Sequence, residues 1–486
     1  MADLKKNYLY QATYQLLLII VPLVTTPYLS RVLGASQVGV YSYTYSIANY
    51  FVMFATLGMS TYGVREIAAC GGDRESRSKV FWEMYAVQAL VSAVCIAAYV
   101  VYSFANPEGG FIVAAVWGMW VVSALLDVSW MFFGVEEFRM PTIRSIVTRL
   151  LSVVVIFAFV RGPEDLWVYC GAIAGSFLAN QALLWPFVRR YVDFVIPKPE
   201  AALRHLIPNL RLFIPVIAIS FYVTLDKVML GAMAGMTQAG YFEYSEKLSR
   251  MPMALVTAVG TVMLPRMTIE LKSGNRGKAL SLLEGSIWAM LMMAFAMMFG
   301  IMGIAHEFAP VFLGSEFSSC DVIMCVLALI IPIVSTTNVL GRQYLLPTGR
   351  DTLFTLSVCV GAVVNVCLNL ALIPAAGAMG AAVSTVCAEA SVLVAQAIMT
   401  NKELPLRLYF RNAIPFAVCG FLMAVVIRFS SALFTAIWGV GVITLALEVC
   451  VGIVVYAALA VGWCLVTRNE HFSPFVKGVA SKFRIK

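Results

Sequence analysis

Residues 9–33 read LYQATYQLLLIIVPLVTTPYLSRVL, an apolar run free of Asp, Glu and Lys whose one Arg, Arg31, stands near its end. About 20 such residues cross the hydrocarbon core of a bilayer as a helix. Lys5 and Lys6 precede the run, so the positive-inside rule starts it in the cytoplasm. A second apolar run, 39–64, follows after a turn at Gly34 and leads to Arg65, Arg74, Arg77 and Lys79, again basic. The pair reads as a membrane hairpin, out and back.

The same alternation continues along all 486 residues. Further runs lie near 80–104, 111–134, 144–161, 166–188, 209–231, 238–264, 280–304, 319–341, 352–373, 378–400, 413–433 and 438–466. The pattern predicts an all-α polytopic membrane protein of about 14 transmembrane helices. Composition agrees: with 61% hydrophobic and 12% charged residues the chain has too little polar surface to cover a water-soluble globule. All but four of the 34 Lys and Arg fall on the face assigned to the cytoplasm, the exceptions being Arg31, Arg161, Lys227 and Arg428. Both termini are therefore expected inside. The net charge of +8 is a topology signal and an attraction for anionic headgroups, and nucleic acid is not an expected partner. The eleven cysteines are scattered and act as small apolar fillers; no spacing fits a metal site. The first run is too long for a cleavable signal and no small-residue cleavage site follows it, so it is expected to stay as a span.

Outward gaps are short, the longest expected at 305–318, and leave no room for an external domain. The inward gap 189–208 carries Pro197, Pro199 and Pro208 and reads as the boundary between halves. An internal echo supports it. Leu33-Gly34-Ala35, Ser36-Gln37-Val38-Gly39, Tyr41 and Tyr43 answer to Leu230-Gly231-Ala232, Thr237-Gln238-Ala239-Gly240, Phe242 and Tyr244. Six spans per unit make the repeats parallel, related by an axis along the membrane normal. The expected organisation is an N-lobe at 1–195, a C-lobe at 196–402, a helix pair at 403–467 and a basic cytoplasmic tail at 468–486.

Function is sought where polarity is most costly, inside the spans. Pro22 and Pro27 bend the first span, as a fixed kink or as a hinge. Arg31 and Lys227, about a turn below the outer surface, either snorkel to lipid phosphates or hold an anion in a cleft, since a bidentate guanidinium suits phosphate. Asp127, Glu389 and Glu448 are placed at membrane depth and must be neutral, paired or wet; structural pairing stands against a proton or cation site coupled to transport. Asn365 and Asn369 share one helical face, where interhelical hydrogen bonding is favoured over ligand contact. Tyrosines 41, 43, 45 and 50 line a sugar path or form an interfacial aromatic belt. No nucleophile elbow, no phosphate loop and no zinc pattern is present, so the chain does not read as an enzyme.

Four stretches then carry a resemblance: TTPYLSRVLG at 25–34 with VGVYSYTYSI from Val38; LDVSWMFFGVEEF at 126–138; TLDKVMLG at 224–231; and PTGRD at 347–351 followed by NVCLNLALIPAAGAMGAAVST at 365–385. Together they resemble the polysaccharide flippases of the multidrug/oligosaccharidyl-lipid/polysaccharide exporter superfamily. That resemblance implies export, by alternating access and for surface polysaccharide assembly, of an oligosaccharide repeat unit on an isoprenoid diphosphate, in a bacterial or archaeal plasma membrane. It implies Arg31 and Lys227 at the diphosphate, Asp127, Trp130 and Glu136 at the cleft or its inner gate, and Tyr41 and Tyr45 stacking on sugars. No cofactor is implied beyond coupling to membrane potential, H+ or Na+. Implied partners are glycosyltransferases inside and a polymerase or ligase outside. A drug or cation antiporter of the same superfamily and a peptidoglycan lipid-precursor flippase are the alternatives.

Overall fold

The computed structural model describes residues 2–105 and 110–467, and these are helical with short connections and no strand among them. The basic tail expected at 468–486 lies outside the described residues. Nine helices among the described residues are long and apolar enough to cross a membrane. One of them, Asp351–Thr400, bends at Gly377, whose φ of 53° breaks the helix into two lengths. Ala2–Thr56 likewise bends at Gly34, at φ 73° and ψ 170°. At 1.5 Å per residue a helix of this size is about two and a half times as long as a bilayer core is thick, so each half is long enough to be a crossing in its own right. The described helices thus accommodate the count of about fourteen. Side chains such as Val101, Phe429 and Val466, more than two thirds exposed, give the helices an apolar exterior that belongs in lipid. The chain is a multi-pass membrane protein.

It divides into two compact units after Gly240, later than the lobe boundary expected at 195/196, because the helix Leu206–Ala234 packs along Ala2–Thr56. The first unit buries Met59, Ile67, Phe81, Trp130 and Phe132 in one cluster. The second buries Leu283, Ile287, Leu340 and Phe416 in another.

Two sequence expectations change. The outward loop expected at 305–318 is largely helix: Arg276–Leu313 runs through Pro310 and stops only at Gly314, whose φ of 102° suits glycine. The internal echo also shifts. The break equivalent to Gly34 is Gly235, at φ 89° and ψ 165°, not Gly231. Leu230-Gly231-Ala232 therefore lies one helical turn early, whereas Gly39 and Gly240 keep the same distance from their breaks.

Candidate functional site

The two echoed segments meet. A Cβ on Gly39 would stand 1.7 Å from the Met236 carbonyl oxygen, and one on Gly240 would stand 2.0 Å from the Ala35 carbonyl oxygen. The contacts are reciprocal, Ala35 to Gly240 and Met236 to Gly39, as a two-fold relation between repeats requires. Only glycine lets backbones cross this closely. A turn earlier, Gly231 lies against the Tyr43 ring, which a Cβ would approach to 2.4 Å.

Arg31 lies just before the Gly34 break and is exposed; its Nη1 donates to the Pro27 carbonyl at 2.7 Å. Lys227 lies half-buried, about two turns before Gly235, beside the buried Asp226. Tyr50 donates its hydroxyl to the Ser220 carbonyl at 3.3 Å and ties the two long helices together below the crossing.

Tyr41 and Tyr45 stack on each other at 5.7 Å within an aromatic column. Tyr41 meets Tyr169 at 4.8 Å, Tyr45 stacks on Trp120 at 4.7 Å, and Trp120 stacks on Phe177 at 4.8 Å. Trp117 is anchored by its indole N–H to the Thr44 hydroxyl at 3.1 Å. Packing occupies most of each tyrosine ring, and both residues remain half-exposed.

Asp127 sits where the fourth apolar run breaks, between Phe111–Leu125 and Ser129–Gly134. Its carboxylate accepts from the Ser129 amide at 2.9 Å and hydroxyl at 2.6 Å, an Asx-type turn that starts the next helix. The carbonyls freed by the break are claimed by Gln88, whose Nε2 donates to Ala124 and Asp127 oxygens, each at 2.8 Å. Trp130 returns its indole N–H to Gln88 Oε1 at 3.0 Å and is buried against Gly63. Asp127 and Trp130 thus belong to one polar clasp, while Glu136 stands exposed at φ 58° outside it. Gln88 was not singled out in the sequence, although an amide in the middle of an apolar run was the available signal.

Arg149 also escaped the sequence reading, which counted it with the cytoplasmic face. The helix Arg139–Phe159 puts it midway along an apolar span. It is half-exposed, its Nε is buried without a hydrogen-bond partner, and among the described residues no carboxylate pairs with it. At one end of the unit, His205 accepts or donates between the Tyr62 hydroxyl at 2.7 Å and Glu83 at 3.2 Å, joining three helices.

In the second unit Asn365 and Asn369 are fully buried, and the Asn369 amide donates to Asn365 Oδ1 at 3.1 Å. Glu389 lies 3.7 Å from Arg250, which also donates to Glu246 at 2.8 Å: two buried carboxylates share one guanidinium. Arg428 meets both oxygens of Glu307 at 2.9 and 3.0 Å, and Ser431 donates to Glu307 at 2.8 Å. Glu448, fully buried, neighbours that cluster, yet both its oxygens lack a hydrogen-bond partner among the described residues. No group of three or more His, Cys, Asp or Glu converges as a metal site among the described residues.

The chemistry is divided. In the second unit Glu246, Glu389 and Glu307 are met by arginines and Glu448 is not, whereas the first unit carries Arg149 midway along an apolar helix with no carboxylate paired to it among the described residues, a placement suited to an anionic ligand.

Comparison with known proteins places these features. The fold matches a solved structure titled "Lipid II flippase MurJ, inward closed conformation" with a TM-score of 0.76 over 95% of this chain and 100% of that one, at 13% identity. A multidrug resistance MATE family transporter in an inward-facing conformation matches with a TM-score of 0.57 over 79% of this chain and 97% of that one, also at 13% identity. A protein of Escherichia coli (strain K12) named "Putative O-antigen transporter" is 22% identical over 413 residues, 83% of this chain and 98% of the relative. A Haloferax volcanii protein named "Probable low-salt glycan biosynthesis flippase Agl15" is 24% identical over 34% of this chain and 35% of its own. Residues 4–269, more than half of the chain, match the family described as "Polysaccharide biosynthesis protein", and the chain belongs to that family.

Proposed function

We propose that this protein moves an isoprenoid-diphosphate-linked oligosaccharide repeat unit from the inner to the outer leaflet of the plasma membrane by alternating access, for surface polysaccharide assembly. The observation that carries the reading is Arg149, an unpaired guanidinium midway along an apolar helix. Arg31 and Lys227 add cations to the same unit. A diphosphate cannot enter hydrocarbon unaided, since ionised groups are penalised there by many kcal/mol, whereas an isoprenoid tail stays in lipid. The protein has to supply a wet, cationic route for the headgroup only.

Membrane potential contributes to the direction. Two negative charges moved outward across about 100 mV, inside negative, gain about 4.6 kcal/mol. A coupled proton or sodium ion would be handled by Glu389 or Glu448, since Asp127 is engaged by Ser129. In this reading Tyr41 and Tyr45 offer their remaining ring faces to sugars, Glu136 lies at the inner entrance, and Asn365 and Asn369 stiffen the eleventh span. Both termini are cytoplasmic. Glycosyltransferases deliver the unit inside, and a polymerase or ligase receives it outside.

Deletion of the gene followed by mass spectrometry of membrane lipids tests the proposal. It calls for accumulation of one polyprenyl-diphosphate oligosaccharide with its sugar facing inward. Accumulation of a peptidoglycan precursor instead would identify a different cargo. Unchanged lipids and unchanged surface glycans would leave a drug or cation antiporter as the function.

A further inference from the structure

The second unit carries a cavity of about 820 Å³, within the size of ligand pockets generally. Its walls are apolar, formed by Leu291 and Phe295 of Arg276–Leu313, Ile333 of Ile330–Thr337, Leu393 of Asp351–Thr400, and Phe410 and Ile414 of Leu406–Trp438. The Thr336 hydroxyl on the wall donates its proton to the Pro332 carbonyl at 2.8 Å, so it has no proton left to give an occupant. Polarity gathers at one end, where Arg407 and Arg411 stand with Asn401.

These two arginines differ from their neighbours. Arg250, Arg350 and Arg428 all meet carboxylates. Arg407 and Arg411 are exposed and make no ion pair among the described residues. Four residues apart, they lie on the same helical face, one above the other at the mouth of the groove.

We propose that this groove is a binding site for an anionic glycerophospholipid of the inner leaflet, its phosphate held by Arg407 and Arg411 and its acyl chains lying along Phe295, Ile333, Leu393 and Ile414. Length selects this occupant. The groove follows the helix from Leu406 to Ala417, about 17 Å at 1.5 Å per residue. That is close to half the hydrocarbon thickness of about 30 Å, the depth of one leaflet. A lipid confined to one leaflet fits it. The end bearing Lys402, Arg407 and Arg411 is the one the charge pattern assigns to the cytoplasm, where anionic headgroups attract basic residues. The inference is independent of the cargo proposed above.

The test is native mass spectrometry of the full chain in nanodiscs of phosphatidylglycerol mixed equally with phosphatidylcholine. Wild type is expected to retain one phosphatidylglycerol in preference to phosphatidylcholine. Arg407→Gln with Arg411→Gln should lower that preference about thirtyfold, the combined worth of two headgroup-facing cations. Ala397→Phe, which fills the groove and leaves both arginines in place, should abolish retention of either lipid. Equal retention by wild type and the double Gln variant overturns the proposal. So does unchanged retention in Ala397→Phe. Loss of a co-purifying isoprenoid diphosphate, with phosphatidylglycerol unaffected, would instead assign the groove to the cargo and equally overturn it.

Discussion

Substituting Gly39 by Ala puts a methyl carbon 1.7 Å from the Met236 carbonyl oxygen, where ordinary contact begins near 3.4 Å. The two backbones must separate by about 1.5 Å, and no rotamer change can absorb it because the atom met is main chain. Overpacking ordinarily costs about 1–3 kcal/mol. A backbone clash belongs at the upper end, and about 3 kcal/mol is a shift of roughly a hundredfold in any equilibrium that needs the crossing closed. If the echoed hairpins close and open the outer face during transport, Gly39→Ala should populate the open form. The assay is thiol labelling of a Ser36→Cys reporter, exposed beside the crossing, in intact cells, together with export of the lipid-linked glycan. Labelling should accelerate and export should fall at least tenfold, with unchanged protein in the membrane. Gly240→Ala, which meets the Ala35 oxygen at 2.0 Å, should behave alike. Gly175→Ala, where a Cβ meets nothing within 4 Å, should be silent. Wild-type labelling and export in Gly39→Ala would refute the reasoning and make the crossing a fixed joint.

Arg149→Gln should reduce export by at least tenfold in a vesicle transport assay while membrane insertion stays normal. Gln88→Leu removes three hydrogen bonds, leaves Trp130 N–H only its longer bond to the Asp127 carbonyl at 3.2 Å and should cost about 1–3 kcal/mol, read as a fall in the melting temperature of detergent-purified protein. Asp193, in the connection between the sixth and seventh apolar runs, is held below the usual carboxylate range by hydrogen bonds and charge from Arg74, at 2.7 and 2.8 Å. Its stabilising contribution is therefore complete above the ordinary carboxylate pKa and is lost as pH falls through the depressed value. Limited proteolysis of the 189–198 connection should accelerate only in acid, and Arg74→Ala should remove that pH dependence.

Much of the architecture was legible because hydrocarbon permits so little: apolar runs and basic gaps each have one economical reading. The positions of Gly39 and Gly240 were legible as an echo, but their mutual contact was not, since a repeat does not say which surfaces of its copies touch. Leu230-Gly231-Ala232 misaligned because apolar helices tolerate a shift of one turn, and only the positive φ of Gly235 fixes the register. Arg149 was counted with the basic gap because it stands only five positions into the apolar run 144–161, whereas the helix begins at Arg139 and so has Arg149 at its midpoint. Asp127 and Trp130 were singled out as cleft or gate residues and lie together in one polar clasp, yet its third member, Gln88, comes from another helix that spacing along the chain cannot bring near.

The central claim is tested most directly with purified protein in phospholipid vesicles carrying an isoprenyl-diphosphate oligosaccharide made only on the inner leaflet. An impermeant glycosidase outside then reports which sugars have crossed. The account predicts that wild type exposes the oligosaccharide to the enzyme, that an inside-negative potential speeds this, and that Arg149→Gln does neither. No exposure by wild type, alongside dissipation of a cationic drug gradient in the same vesicles, would contradict it.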